Sequence, residues 1–131
     1  MFDHISIGVH DLKRAAAFYN ATLAPLGFVR AFINEKGAGW DTPAGHYEPP
    51  FAVVQEPAGS AVGSTSMGHI AFKAPSRAAV TAFYEAAMAN GAVSQHAPRV
   101  WTEYGPDYFA AFVEDPDGCN IEAVCHLPAQ P

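Results

Sequence analysis

The first residues alternate between apolar and polar side chains, which predicts a β-strand over residues 2–9. With a period of two, Ile5 and Ile7 lie on one face of this strand and His4 lies on the opposite face. A helical periodicity follows over residues 11–24, whose first residue is an aspartate suited to N-capping. The pattern therefore predicts a strand with a histidine off its core face, followed by an amphipathic helix.

This arrangement occurs twice in the chain. His69-Ile70 and Phe83-Tyr84 follow one another at the same separation as His4-Ile5 and Phe18-Tyr19. Apolar, β-rich stretches predict the remaining strands over residues 29–34, around Trp40, and over residues 51–55, 93–96, 108–113 and 120–125. The sequence thus predicts an α+β fold of two βαβββ modules.

The last two predicted strands are joined by Asp115-Pro116-Asp117-Gly118, which has proline and glycine where a type I turn prefers them. This turn predicts a hairpin. Alternation along the final strand then places Glu122 on the face opposite Ile121. Glu122 is therefore a candidate cavity residue.

Length and composition predict one domain. The chain has 131 residues, of which 50% are hydrophobic and 15% charged, enough to bury a core. We expect modules at residues 1–57 and 67–127, joined by a Gly/Ser/Ala-rich connector at residues 58–66.

Net charge and hydropathy argue against some classes of partner and some cellular locations. A net charge of −6 without a basic stripe argues against nucleic acid as a partner. No apolar run is long enough to span a membrane, the first residues carry no signal core, and the two cysteines do not frame a disulfide scaffold. We expect a cytoplasmic protein without a membrane partner.

These motifs resemble the vicinal oxygen chelate superfamily, which includes glyoxalase I, extradiol dioxygenases, and the fosfomycin and bleomycin resistance proteins. The resemblance covers nearly the whole chain and rests on residues 2–9 with Phe18-Tyr19, on residues 68–72, and on residues 112–118 leading to 120–122. It implies that the two modules form a half-open, eight-stranded, barrel-like sheet. Many such relatives place their cavity between modules of two chains, so we expect a homodimer.

The resemblance also implies a divalent metal held by His4, His69 and Glu122, with Glu122 as a catalytic residue. Imidazole and carboxylate ligands suit Zn, Ni, Mn or Fe(II) and leave positions open for substrate oxygens. A fourth ligand, which is a carboxylate in glyoxalase I, has no clean match. Gln55, Glu56 or no residue at all remain open for that position.

Candidate substrate-binding residues and the environment of three further histidines follow from their neighbours in the sequence. The aromatic, turn-rich segment 99–108 precedes a predicted cavity strand, which makes its side chains candidates for substrate binding, although core packing of the tryptophans is an equally good interpretation. The candidates are Trp40, Arg99, Trp101, Tyr104 and Tyr108. We expect His10, His46 and His96 to be solvated in turns or loops.

Three functions are compatible with this pattern. The leading hypothesis is a glyoxalase-like lyase or isomerase that chelates a small oxygenated substrate through a metal. A non-haem Fe(II) extradiol dioxygenase would use the same three ligands. A metal-free, drug-binding protein of the bleomycin-resistance type would use only an aromatic-lined groove.

Overall fold

The computed structural model describes residues 1–63 and 68–130, which form eight strands and two helices. The elements of the first half are β1 (Ile5–Val9), α1 (Leu12–Leu23), β2 (Val29–Ile33), β3 (Gly37–Asp41) and β4 (Phe51–Gln55). Those of the second half are β5 (Ile70–Lys73), α2 (Arg77–Ala89), β6 (Val93–Val100), β7 (Phe109–Glu114) and β8 (Asn120–Cys125). A short 3-10 turn at Ala24–Leu26 extends α1.

The strands form two four-stranded sheets with the same topology. The strand order is β1-β4-β3-β2 in the first sheet and β5-β8-β7-β6 in the second. The first pair in each sheet is parallel and the other pairs are antiparallel. This confirms the α+β fold of two βαβββ modules, and the two sheets are not closed into one barrel within the described part of the chain.

The helix boundaries follow the predicted caps. The side chain of Asp11 accepts a hydrogen bond from the Arg14 N–H at 3.1 Å, and Ser76 accepts one from the Ala79 N–H at 3.0 Å. After the first helix and its 3-10 turn, Gly27 adopts a φ of 94°, a left-handed conformation that a residue with a Cβ rarely takes. Among the described residues, neither helix is long and apolar enough to cross a membrane.

The core lies between the sheets and the helices. One face of each sheet packs against its helix, and α1 also contacts α2. Along β8, for example, Ile121, Ala123 and Cys125 are fully buried in this core. The opposite face of the second sheet is therefore available for a site, and we call it the open face.

The hairpin turn between β7 and β8 also joins the two modules. The Gly118 N–H donates to the Asp115 carbonyl at 2.9 Å, as the predicted turn requires. The buried Asp115 carboxylate accepts a hydrogen bond of 2.5 Å from the hydroxyl of Tyr19 in α1. Arg14 of the same helix lies 3.1 Å from Asp117. These polar contacts connect the second module to the first helix.

Three boundaries differ from the sequence prediction. Strands β1 and β5 begin at Ile5 and Ile70, so His4 and His69 precede the strands rather than lie within them. The ladder between β1 and β4 begins with the pair Ile5 and Phe51, and the ladder between β5 and β8 begins with the pair Ile70 and Ile121. Strand β6 extends to Val100. The predicted connector 58–66 lies partly outside the described residues, and the division into modules 1–57 and 67–127 stays a prediction.

Candidate functional site

The open face of the second sheet carries one buried carboxylate. Glu122 alternates with the core residues of β8, so its side chain lies on the open face, where it is nevertheless completely buried. Its Oε2 atom accepts a hydrogen bond of 2.5 Å from the hydroxyl of Tyr108, which directly precedes β7. Sequence alternation therefore placed Glu122 on the correct face, and the structure adds Tyr108 as its partner.

His69 completes a pair with Glu122. Its Nε2 atom lies 2.9 Å from Oε1 of Glu122, within ion-pair distance. The approach does not have hydrogen-bond geometry, so Oε1 is buried without a hydrogen bond from any described residue. A buried carboxylate oxygen without a hydrogen bond lowers the stability of the folded state unless another group binds it.

A divalent cation fits this pair of atoms. Two ligand atoms that bind one ion at about 2.1 Å and at a right angle lie about 3 Å apart. The 2.9 Å between His69 Nε2 and Glu122 Oε1 agrees with that separation. Imidazole nitrogen and carboxylate oxygen are also the donors that Zn, Ni, Mn and Fe(II) accept.

Tyr108 remains protonated over the physiological pH range. Burial, followed by the hydrogen bond and the negative charge of Glu122, raises the pKa of its hydroxyl well above the usual value. The hydroxyl is therefore a donor to the carboxylate. It occupies Oε2 and leaves Oε1 directed to His69.

Within one chain, His4 does not join this pair. It is exposed, and its Nδ1 lies 2.7 Å from Oδ1 of Asp3, a contact that raises the pKa of the imidazole. It lines a separate cavity of about 600 Å³, whose other lining residues include His46, Tyr47 and Glu48. No group of three or more His, Cys, Asp or Glu side chains suited to a metal occurs among residues 1–63 and 68–130. The three predicted ligands are thus not assembled by a single copy.

The position equivalent to Glu122 in the first module is Ala52. Ser6 pairs with Ala52 as Ala71 pairs with Glu122. The amide of Gln55 is instead occupied in the turn between β1 and α1, where it accepts from the Leu12 N–H at 2.9 Å and donates to the His10 carbonyl at 2.7 Å. Gln55 therefore has a structural role here.

Glu56 is the other candidate for a fourth ligand. Its side chain lies against Gly8, where an added Cβ would come within 2.6 Å of it. Neither Glu56 nor Gln55 takes the place in the first module that Glu122 takes in the second.

A cavity of about 430 Å³ opens beside His69. Its lining includes Trp101 and Tyr104, which the sequence proposed for substrate binding, and also Phe112 of β7. The Trp101 ring lies 6.0 Å from the Tyr104 ring in a stacked arrangement and 5.1 Å from Phe112 edge to face. The structure therefore brings these two predicted residues to the same cavity as His69.

His96 is a cavity residue that the sequence analysis missed, because it was assigned to a loop. It lies in β6, where Ser94 pairs with Val113 and His96 pairs with Phe112. This register leaves Gln95 as an extra residue, which makes a β-bulge. As a result the consecutive residues Gln95 and His96 both line the cavity, where a regular strand would turn them to opposite faces. Pro98, in the same strand, was the only sequence signal of irregularity.

Three predicted substrate-binding residues do not line this cavity, and one of them is Tyr108, whose hydroxyl donates to Glu122. Trp40 is 1% exposed in the core of the first module, where its Nε1 donates to Asn20 at 3.0 Å. Arg99 is on the cavity side of the molecule, but its guanidinium lies 3.3 Å from the centre of the Trp101 ring and 3.6 Å from Glu103. These contacts explain why Arg99 is not among the residues that line the described cavity. Core packing explains Trp40, as the alternative interpretation allowed.

The segment after β3 contains His46, which pairs with the carboxylate of Asp41. His46 lies in a loop and its side chain is 63% exposed, as predicted, and its Nδ1 also lies 2.7 Å from Oδ1 of the buried Asp41. Burial acts to raise the pKa of Asp41, but hydrogen bonds from His46 and from the Thr42 N–H outweigh it and lower the pKa. This pair fixes the loop beside the cavity that contains His4.

Comparison with known proteins agrees with the fold. The sequence model of the Glyoxalase/Bleomycin resistance protein/Dioxygenase superfamily matches residues 1–123. The chain therefore belongs to this superfamily, as its motifs suggested. No curated protein is similar enough to count as a match.

Solved structures show the same architecture. A glyoxalase/bleomycin resistance protein from Albidiferax ferrireducens is 29% identical, with a TM-score of 0.81 over 98% of this chain and 99% of that one. A glyoxalase/bleomycin resistance protein/dioxygenase family enzyme from Burkholderia phytofirmans is 18% identical, with a TM-score of 0.67 over 95% and 97%. The fosfomycin resistance protein FosX from Mesorhizobium loti is 18% identical, with a TM-score of 0.67 over 95% and 91%. At these identities the last two support the fold alone.

Proposed function

We propose that this protein is a metal-dependent, glyoxalase-like enzyme that acts on a small oxygenated substrate. The observation that supports this most is the buried Oε1 atom of Glu122, which has no hydrogen bond from a described residue and lies 2.9 Å from His69 Nε2. A buried carboxylate oxygen beside an imidazole nitrogen is stable when both bind one cation. The adjacent cavity of about 430 Å³ provides room for a substrate.

The third ligand in this proposal is His4 of a second copy of the chain. His4 is exposed and separate from His69 within one copy, and one copy supplies only two ligands. Three protein ligands with an open position are typical of catalytic metal sites. A homodimer that places one copy's first module beside the other copy's second module would bring the three side chains together.

Each residue in the site then has a distinct task. Bound Zn, Ni, Mn or Fe(II) would act as a Lewis acid on substrate oxygens. Tyr108 holds Glu122 by donating to Oε2, which keeps Oε1 directed toward His69. We further propose Glu122 as the carboxylate that takes part in proton movement, and Trp101 and Tyr104 as substrate-binding residues. The reaction would be of the lyase or isomerase type, in a cytoplasmic protein whose two cysteines are free.

The aromatic wall of the cavity favours two further candidates. The same ligands on Fe(II) would suit an extradiol dioxygenase, whose catechol substrate is itself aromatic. Without a metal, the cavity of His96, Trp101 and Phe112 would suit a protein that sequesters a drug-like ligand. Oxygen consumption with catechol would identify an extradiol dioxygenase. Ligand binding by protein that contains no metal would identify a protein that sequesters a ligand.

Metal content tests the proposal. Protein purified without a histidine tag and incubated with each of Zn, Ni, Mn and Fe(II) is passed through a desalting column and measured by elemental analysis. We expect near-stoichiometric metal in the unmodified protein, its loss in His69→Ala and Glu122→Gln, and its retention in the control His10→Ala. Absence of all four metals from the unmodified protein would contradict the proposal.

A further inference from the structure

The cavity beside His69 has two chemically different walls. One wall is aromatic and consists of His96, Trp101, Tyr104 and Phe112. The other wall is polar and consists of His69, Gln95 and Asn120, with the Gln95 amide donating to Asn120 Oδ1 at 2.8 Å. A ligand in this cavity therefore meets both π-systems and hydrogen-bonding groups.

The rings of the aromatic wall are arranged edge to face. Phe112 is at its centre, with the His69 ring at 5.7 Å, the His96 ring at 5.8 Å and the Trp101 ring at 5.1 Å, each at a steep angle to it. Rings at such angles present both edges and faces to a flat ring that packs against them in the cavity. The bulge in β6 contributes to this wall, because it turns His96 into the cavity.

The charges around the cavity disfavour an anionic ligand. No lysine or arginine is among the described residues that line it. Arg99 does not line the cavity: its guanidinium lies on the Trp101 ring and donates to the Val100 carbonyl at 3.0 Å. The carboxylate of Glu122 lies next to His69. An added carboxylate or phosphate on the ligand would thus lose its hydration without gaining a cationic partner.

We propose that the cavity binds an uncharged, planar aromatic ring, with an oxygenated edge of that ring directed at His69 and Glu122. The choice of ring follows from the aromatic wall and the absence of a lining cation. The direction of the oxygenated edge rests on the proposed function. A glutathione adduct, which carries carboxylates, is disfavoured by the same reasoning.

Four small probes test this inference by isothermal titration calorimetry under anaerobic conditions, with metal-free protein and with metal-loaded protein. Catechol is the neutral aromatic probe, and cyclohexane-1,2-diol has the same two oxygens on a ring that is not planar. 3,4-Dihydroxybenzoate adds a carboxylate to catechol, and resorcinol separates the two oxygens. Tyr104→Ala removes an exposed ring of the wall, and Phe32→Ala removes an exposed ring of β2, outside this cavity and the cavity of His4, as the matched control.

We expect metal-free protein to bind catechol and resorcinol about tenfold more tightly than cyclohexane-1,2-diol, an effect of the size that edge-to-face ring contacts give. 3,4-Dihydroxybenzoate should bind more weakly than catechol, Tyr104→Ala should weaken catechol binding, and Phe32→Ala should not. Equal affinity for catechol and cyclohexanediol, tighter binding of the benzoate, or no catechol binding to either protein would overturn the inference.

The metal-loaded protein separates this inference from the proposed function. If a metal binds at His69 and Glu122, loading should strengthen binding of catechol but not of resorcinol. Ring selectivity in protein that takes up no metal would support the aromatic cavity and contradict the metal-dependent function. Metal uptake without ring selectivity would support the function and overturn the inference.

Discussion

Removing the hydroxyl group of Tyr108 should lower both the stability of the fold and the affinity of the site for metal. In Tyr108→Phe, the buried Glu122 carboxylate loses the donor to its Oε2 atom, a hydrogen bond of 2.5 Å. A hydrogen bond to a charged group contributes about 1.5–3 kcal/mol, and because Tyr108 is only partly buried we expect about 1.5 kcal/mol. For a chain of this length that lowers Tm by about 5 °C. The orientation of Glu122 also relaxes, so metal affinity should fall about 10–100-fold.

Urea denaturation and competition with a chromogenic chelator measure the two effects. Tyr104→Phe is the matched control, because its ring is 5.3 Å from the Tyr108 ring but Tyr104 does not donate to Glu122. The control should change the free energy of unfolding by less than about 0.5 kcal/mol. In a Glu122→Ala background, which has no acceptor for the Tyr108 hydroxyl, most of the effect of Tyr108→Phe on stability should vanish. Unchanged stability and metal affinity in Tyr108→Phe would refute the role we give to this hydrogen bond.

Three further predictions concern the fold around the site. Tyr19→Phe should lower the free energy of unfolding by about 1–3 kcal/mol, because it removes the donor to Oδ2 of the buried Asp115, whose Oδ1 keeps its two backbone donors. Tyr84→Phe, which breaks an exposed hydrogen bond, should cost less, and equal costs in urea denaturation would contradict this. The folded-state pKa of Asp41 is lowered, so the carboxylate stabilises the protein above its unfolded pKa near 3.8 and that contribution is lost as pH falls through the lower folded-state value. Asp41→Asn should therefore be less stable than the unmodified protein near pH 6, with a difference that shrinks toward pH 2.5, and a difference that grows on acidification would disprove the sign. Gln55→Ala should cost about 1–2 kcal/mol through the hydrogen bonds of the β1–α1 turn yet retain bound metal, and loss of metal at unchanged stability would instead make Gln55 a ligand.

The sequence predicted the fold well because the two modules repeat the same local signals. Periodicity, the caps at Asp11 and Ser76, and the turn at residues 115–118 are local features, and each occurs in the structure as expected. The β8 alternation likewise placed Glu122 correctly, because side-chain direction in a paired strand follows from the period of two.

Other parts of the site depend on contacts that no local pattern encodes. A strand was predicted over residues 93–96 but His96 at its end was expected in a turn or loop, and only pairing with β7 reveals that the strand continues and that a bulge turns His96 toward the cavity. Arg99 was expected to meet a substrate carboxylate, but the Trp101 ring lies under its guanidinium. Trp40 is an aromatic residue of a kind found both in substrate cavities and in cores, and tertiary packing buries it in the core.

Assembly of the ligand set is likewise a property of tertiary and quaternary structure. The repeat placed His4 and His69 at equivalent positions, but equivalence within a repeat does not determine whether the two side chains meet. The structure keeps them in separate cavities of one copy, so that the shared site between two copies stays a prediction.

Mixing two defective variants tests the central claim most directly. His4→Ala and His69→Ala are each expected to lack bound metal, and after the two are unfolded, mixed in equal amounts and refolded, half of the dimers contain one chain of each kind. In such a dimer one site has lost both histidines and the other has all three ligands, so about a quarter of all sites should regain metal. Elemental analysis against each variant refolded alone measures this fraction. Recovery of about a quarter is the result that a shared site predicts, and no recovery would contradict it.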